Sequence, residues 1–182
     1  MKLIFLDVDG VLNNTQNIKK YRLFFRGKRR LLVDVKPFVY LKKLLKEIEK
    51  NNIDIKIVIS SSWRVGSIAS DWKKLFKHYF DNPEIVKGRT PYLYKNRGIE
   101  ILDLLEIAKE KGDMIDDYIV LDDDIEDIIN HISPNKVIKI NRKYGLTERD
   151  VKQILKKLEW NIRTNKKKEA MKVVSFFNEE IK

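Results

Sequence analysis

The stretch "KLIFLDVDGVLNN", residues 2–14, runs four apolar residues, Leu3 to Leu6, directly into two aspartates, Asp7 and Asp9, that flank one valine. A short apolar run of this length predicts a buried β-strand. A carboxylate at the end of such a strand is costly unless a cation or hydrogen-bond donors compensate it. Outward from this stretch, three more aliphatic runs have strand length: Ile55 to Ile59, Tyr118 to Leu121 and Val137 to Ile140.

Segments of helical periodicity separate these runs. After Pro37, suited to a first helical turn, the residues Phe38, Leu41, Leu44, Leu45 and Ile48 follow three-four spacing up to Asn51-Asn52. Ile99, Leu102, Leu105 and Ala108 repeat that spacing, as do Ile125, Ile128, Ile129 and Ile132. A last helix is predicted from Thr147, with Asp150 as its capping-box partner and Leu146 and Val151 placed as a hydrophobic staple. Strands apolar almost throughout, alternating with helices, predict a doubly wound α/β domain whose parallel sheet is covered on both faces. The expected division is a domain over 1–160 followed by a basic helical extension over 161–182. Residues 20–35, "KYRLFFRGKRRLLVDV", break the alternation. Two strand-forming runs around Arg26-Gly27-Lys28-Arg29 predict a β-hairpin with a basic tip near the end of the first strand.

The chain has 182 residues, of which 43% are hydrophobic and 36% charged, and no apolar run approaches the roughly 20 residues needed to cross a bilayer. It has no cysteine, which excludes disulfides, thiolate metal sites and thiol nucleophiles, and with no apparent export signal the expected location is the cytoplasm. The net charge of +11 attracts polyanions. Nucleic acid, phosphorylated metabolites and anionic surfaces all meet that description.

In open α/β sheets ligands bind beyond the carboxyl ends of the strands. The residues at those ends are Asp7 and Asp9, then Ser60, Ser61 and Ser62, then Asp122, Asp123 and Asp124, with Asp127 close behind. Like charges about 4 Å apart repel by about 4 kcal/mol at an effective dielectric of 20, so clustered carboxylates need a cation or raised pKa values. An all-oxygen donor set favours Mg²⁺, which is commonly shared between carboxylates and a substrate phosphate.

Three motifs occur in order at strand ends: "IFLDVDGV", "IKIVISS" and "YIVLDDDIED". In these the chain resembles the haloacid dehalogenase (HAD) superfamily of aspartyl-phosphate phosphohydrolases, over most of residues 1–160. The resemblance implies that Asp7 is the nucleophile toward phosphorus and Asp9 the acid and base. It implies Mg²⁺ held by Asp7, the backbone carbonyl of Asp9, and Asp123, with Asp122 and Asp127 assisting. Gly10 would let the chain turn beside the metal and phosphate. Ser60, or Ser61 if the strand register differs by one, would donate to phosphoryl oxygens. Arg97, or alternatively Lys95, would take the place of the family's phosphate-neutralising Lys. Trp63 and Arg64 fall at the site rim, Arg64 as a substrate contact and Trp63 chiefly as core packing.

Members of the superfamily carry caps after the first motif or between the second and third. Here the first interval holds the hairpin and a helix, and the second, about 35 residues from Ser62 to Arg97, holds a helix and a short edge strand. An uncapped site suits a large phosphorylated substrate. With "SSSWR", "RGIEI" and "GLT", the chain further resembles the phosphatase-like domains of RNA-repair and polynucleotide kinase-phosphatase proteins, which makes phosphorylated RNA or DNA ends the leading substrate, with Arg26, Lys28 and Arg29 as contacts. A small phosphorylated metabolite is the second reading. A catalytically idle nucleic-acid-binding module is the third, and the retained Asp7 and Asp9, which would repel phosphate without a metal, argue against it.

Overall fold

The computed structural model describes residues 1–14, 20–25, 29–79, 82–93 and 96–158, with only the backbone given for 20–25, 29–35 and 78–79. Arg26, Lys28, Lys95 and the basic extension over 161–182 lie outside these residues, as does the side chain of Arg29.

Strand β1 (Lys2–Leu6) lies at the centre of a five-stranded sheet with β4 (Ile55–Ile59), β5 (Val86–Arg89), β6 (Asp117–Asp122) and β7 (Val137–Lys139). The order is β5-β4-β1-β6-β7, every pairing is parallel, and Leu6 stands level with both Ile59 and Leu121. That register brings Asp7, Ser60 and Asp122 to one rim. The edge strand expected between the second and third motifs is β5.

Alternation along the strands feeds two cores. Ile4, Leu6, Ile57, Ile59, Ile119 and Leu121 pack with Leu41 and Leu44 of helix α1 (Val35–Lys50), Trp72 and Phe76 of α2 (Ala69–Tyr79), and Ile154 and Leu158 of α5, helical through 148–158. Leu3, Phe5, Val58 and Val120 face Ile101 of α3 (Arg97–Glu110) and Ile128 of α4 (Glu126–Ile129). Full burial of such side chains contributes about 1.5–3 kcal/mol each, and β1 is buried at all five positions.

The expected hairpin is present as β2 (Lys20–Phe25) paired antiparallel with β3 (Arg29–Asp34), which leads directly into α1. The predicted cap of α5 is present too. Asp150 Oδ2 accepts from the Thr147 amide at 2.8 Å and from its hydroxyl at 2.5 Å, and Leu146 and Val151 are both buried.

Two helices differ from their predicted form. In α3 the inward residues are Ile101, Leu104, Leu105 and Ala108, whereas Leu102 is exposed, because burial of Glu100 rotates the helix away from the purely apolar phase. The Ile125 to Ile132 segment forms one helical turn and then ordinary turns, bounded by Ser133-Pro134, where proline begins a 3₁₀ turn. Among the described residues no helix is long and apolar enough to cross a membrane.

Candidate active site

The chain leaves β1 at Asp7, whose amide donates to Leu121 O at 3.0 Å, and winds into a tight turn in which Val8 O accepts from the amides of Leu12 and Asn13 at 2.7 and 2.8 Å. Gly10 has φ +82°, and a Cβ there would collide with the Asp123 carboxylate. Glycine is needed at this position on both counts.

Arg97, at the first position of α3, supplies the fixed cation. Its Nη1 donates to Asp7 Oδ1 at 3.2 Å, to Asp122 Oδ2 at 3.0 Å and to Ser60 O. Asp127 Oδ2 accepts the Arg97 amide at 2.6 Å, and Asn96 caps α3 through Ile99 N at 3.0 Å. Gly98 lets this helix start approach α4 closely, since a Cβ would meet Asp127 O at 3.0 Å. The guanidinium is therefore held from its own backbone.

Burial drives the electrostatics. Asp7 is pushed up to about 6 chiefly by loss of solvent, with Arg97 and a hydrogen bond from the Ser61 hydroxyl pulling the other way. Asp122 is pushed up to about 8, by burial and then by the neighbouring Asp7 charge, against the pull of Arg97. One carboxylate oxygen from each of Asp7, Asp122 and Asp123 lies within 4.8 Å of the others. Oxygens on opposite sides of a bound Mg²⁺ stand about 4.2 Å apart, so this all-carboxylate set fits the ion, and the missing Cβ at Gly10 leaves room for Asp123 to turn toward it.

Asp9 stands apart from that cluster and is exposed. Its Oδ2 accepts from the Trp63 indole N–H at 2.7 Å and its Oδ1 from Asn13 Nδ2 at 3.1 Å. Trp63, expected mainly as core packing, thus also aims the second aspartate, and its indole packs on Trp72 with ring centroids 6.3 Å apart.

Of the serines, Ser60 turns its carbonyl to Arg97 while its buried hydroxyl has no partner, and Ser61 presents its hydroxyl to Asp7. The alternative residue, Ser61, is the one whose hydroxyl faces Asp7.

Arg64 does not reach the rim as a substrate contact. It is 4% exposed, ion-paired to Glu100, and donates to Ser61 O at 2.6 Å, with its guanidinium carbon 5.2 Å from the centre of the Tyr92 ring. A buried guanidinium keeps its charge by pairing, and Glu100, fully buried, supplies the carboxylate while also accepting from Leu93 N at 3.1 Å. Arg64 therefore braces the serine loop against α3. Asp127, expected to assist the metal either directly or from behind its ligands, lies outside the three-carboxylate cluster and positions Arg97.

A family model described as the HAD domain in Swiss Army Knife RNA repair proteins matches residues 3–151. The chain belongs to this family. The match takes in every part of the site described above, and the HAD fold, with its helices on both faces of a parallel sheet, is the one observed. The activity class of this HAD domain is that of a phosphatase, and HAD domains generally use Mg²⁺. Neither a curated protein nor a solved structure matches the chain.

The remaining parts of the HAD site carried little sequence signal. Arg142, whose Nε donates to Asp123 Oδ2 at 2.8 Å, and Glu100 are separated from their partners by 19 and 36 positions. In a linear sequence a charged residue so far from its partner cannot be told from one that faces solvent.

Proposed function

We propose that the chain is a Mg²⁺-dependent phosphomonoesterase that passes the phosphoryl group through Asp7 and acts on phosphorylated nucleic-acid ends. The observation that carries the reading is the single guanidinium of Arg97 spanning Asp7 and Asp122 beside Asp123. Three acids lie around one fixed cation, and a divalent ion and a phosphoryl group would complete the site.

An Asp7 carboxylate oxygen attacks phosphorus as the ester oxygen departs, and Asp9 gives that oxygen its proton. Water then attacks the phosphorus of the aspartyl-phosphate, surrenders a proton to Asp9, and the bond to Asp7 breaks, releasing inorganic phosphate. Asp7, Asp123 and the Asp9 carbonyl, supported by Asp122, would hold Mg²⁺, which would supply charge neutralisation of the phosphoryl oxygens. Ser61 and Arg97 orient the phosphoryl group. Trp63 and Asn13 hold Asp9 in place through both of its oxygens.

The family description, the +11 charge and an interval between second and third motifs that holds only α2, two 3₁₀ turns and β5 among the described residues support a polymeric substrate over a small metabolite. The test is hydrolysis of an aryl phosphate and of end-phosphorylated RNA and DNA with and without Mg²⁺. We expect turnover that needs the ion, vanishes in Asp7→Asn, and in Asp9→Asn leaves a phosphoryl adduct on the peptide containing Asp7. Strand binding without turnover would overturn the enzymatic reading, and better turnover of sugar phosphates than of strands would overturn the substrate.

A further inference from the structure

Beside the acids, a pocket of about 520 Å³ opens between Asp123 and Asp124 on one side and Lys139, Ile140, Asn141 and Arg142 on the other. Its far wall is a constructed loop. Ile140 N donates to Asp122 O at 2.9 Å, Asn141 O accepts from the amides of Tyr144 and Gly145 at 2.9 Å, and Asn141 Oδ1 accepts from Lys143 N at 3.0 Å. Asn14 Nδ2 donates to Tyr144 O at 2.9 Å, and Leu146 N to Val11 O at 2.8 Å, so the loop is fastened to the turn that follows Asp7. Gly145, with φ +65°, permits the close approach, because a Cβ there would stand 2.8 Å from Val11 O. From this rigid base the basic groups project outward. Arg142 has a side chain 68% exposed, Lys139 and Lys143 are exposed, and Tyr144 is half exposed with the Lys143 ammonium 5.5 Å from its ring centre.

The charges lining the pocket balance, two acids against two bases. Arg142 is occupied with Asp123, one of the three carboxylates able to hold the metal. A divalent ion on Asp123 would compete for that carboxylate, leave the pocket net positive, and free a guanidinium of a geometry suited to bidentate contact with a phosphodiester.

We propose that this pocket is the subsite for the nucleic-acid strand adjoining the reacting phosphate, with Arg142 as the clamp on a neighbouring phosphodiester and as the occupant of Asp123 when the metal is absent. Its volume suits about one nucleotide. Tyr144 offers the next base a stacking surface, and Lys139 and Lys143 flank the path. The inference rests on the phosphatase reading of the adjoining site and adds the direction in which the strand leaves it.

The experiment uses a fluorescent single-stranded decanucleotide with hydroxyl ends, which has backbone phosphates and nothing to hydrolyse, in anisotropy titrations of the whole chain. We expect Mg²⁺ to strengthen binding to the wild type, and Arg142→Gln to weaken binding in Mg²⁺ about tenfold and to lower the log–log salt slope by about 1. Lys139→Gln should act in the same direction, whereas Lys46→Gln, which removes equal charge at the opposite end of the sheet, should not. In thermal melts Arg142→Gln should lower the Mg²⁺ concentration for half-maximal stabilisation, since the competitor for Asp123 is gone. Equal strand affinity in Arg142→Gln and wild type, an equal loss in Lys46→Gln, or an unchanged Mg²⁺ midpoint would each overturn the proposal. Strands carrying a 5′ or a 3′ phosphate then show which end the subsite serves. Failure of the phosphatase reading is seen separately, as absence of aryl phosphate turnover by the wild type.

Discussion

Replacing Arg97 with methionine removes the charge while keeping most of the volume. Asp7 and Asp122 then face each other without their cation, with carboxylate oxygens no more than 4.8 Å apart. With both ionised, at an effective dielectric of about 20, their mutual repulsion would reach about 3.5 kcal/mol, an upper bound because Asp122 escapes it by taking up a proton, and breaking a buried pair by removing one partner costs about 3–5 kcal/mol. Both acids are almost wholly buried and the Arg97 side chain is 22% exposed, so solvent screens the loss little. For a chain of this size about 2–4 °C of melting temperature accompanies each kcal/mol, which gives a fall of about 6–20 °C for metal-free Arg97→Met at pH 8. The loss must shrink at pH 5.5, where Asp122, pushed up to about 8, and much of Asp7, pushed up to about 6, already carry protons and attract Arg97 less. Mg²⁺ should restore part of the loss at pH 8 and little at pH 5.5. Scanning fluorimetry of wild type and variant at both values, with and without the ion, makes the measurement. Melting temperatures within 2 °C of wild type at pH 8, or an equal deficit at both pH values, would refute the electrostatic account of the site. Phosphatase turnover should fall about a hundredfold or more in the same variant, because a preorganised cation at the phosphoryl group is lost.

Without metal, stability should decline from pH 4 to pH 8. The folded forms of Asp7 and Asp122 hold protons above the ordinary carboxylate range, so the native state binds more protons than the unfolded chain across that window. Mg²⁺ competes with those protons, and its apparent affinity, followed by calorimetry, should rise over the same range. Gly10→Ala imposes a left-handed backbone on an L residue, at about 1–2 kcal/mol, and drives a methyl group into the Asp123 carboxylate. Loss of Mg²⁺-induced stabilisation beyond the fall in melting temperature is the expected result, and normal Mg²⁺ binding would count against the assigned site. Arg64→Met should cost about 3–5 kcal/mol by stranding Glu100, and Arg64→Met combined with Glu100→Leu should recover a good part of it, as chemical denaturation would show.

The strands could be read from the sequence because burial on both faces leaves them apolar almost without interruption, as in Leu3 to Leu6. The acids were legible because Asp7 and Asp122 interrupt that pattern at the point where each strand meets the rim. Helix α3 was harder. Its sequence carries apolar residues around much of its circumference, and the term that fixes its rotation is the pairing of Glu100 with Arg64, 36 positions away, which periodicity does not register. Trp63 packs on the core as expected, but its second role was illegible for a related reason. An indole buries a large apolar body, yet its single N–H must find an acceptor, and which acceptor it finds depends on the fold bringing Asp9 to within 2.7 Å. The choice between Ser60 and Ser61 turned on the direction of one strand-end peptide, which alternation leaves open by one residue.

The fastening of Leu146 to Val11, and of Asn14 to the Tyr144 carbonyl, has a mechanical consequence. The start of the final described helix and the turn bearing the second aspartate form one stiff body, although more than 130 positions separate them along the chain. A force or a bound molecule that tilts that helix would therefore be felt as a lever at Asp9, even though, among the described residues, the helix touches none of the clustered acids through a hydrogen bond of its own.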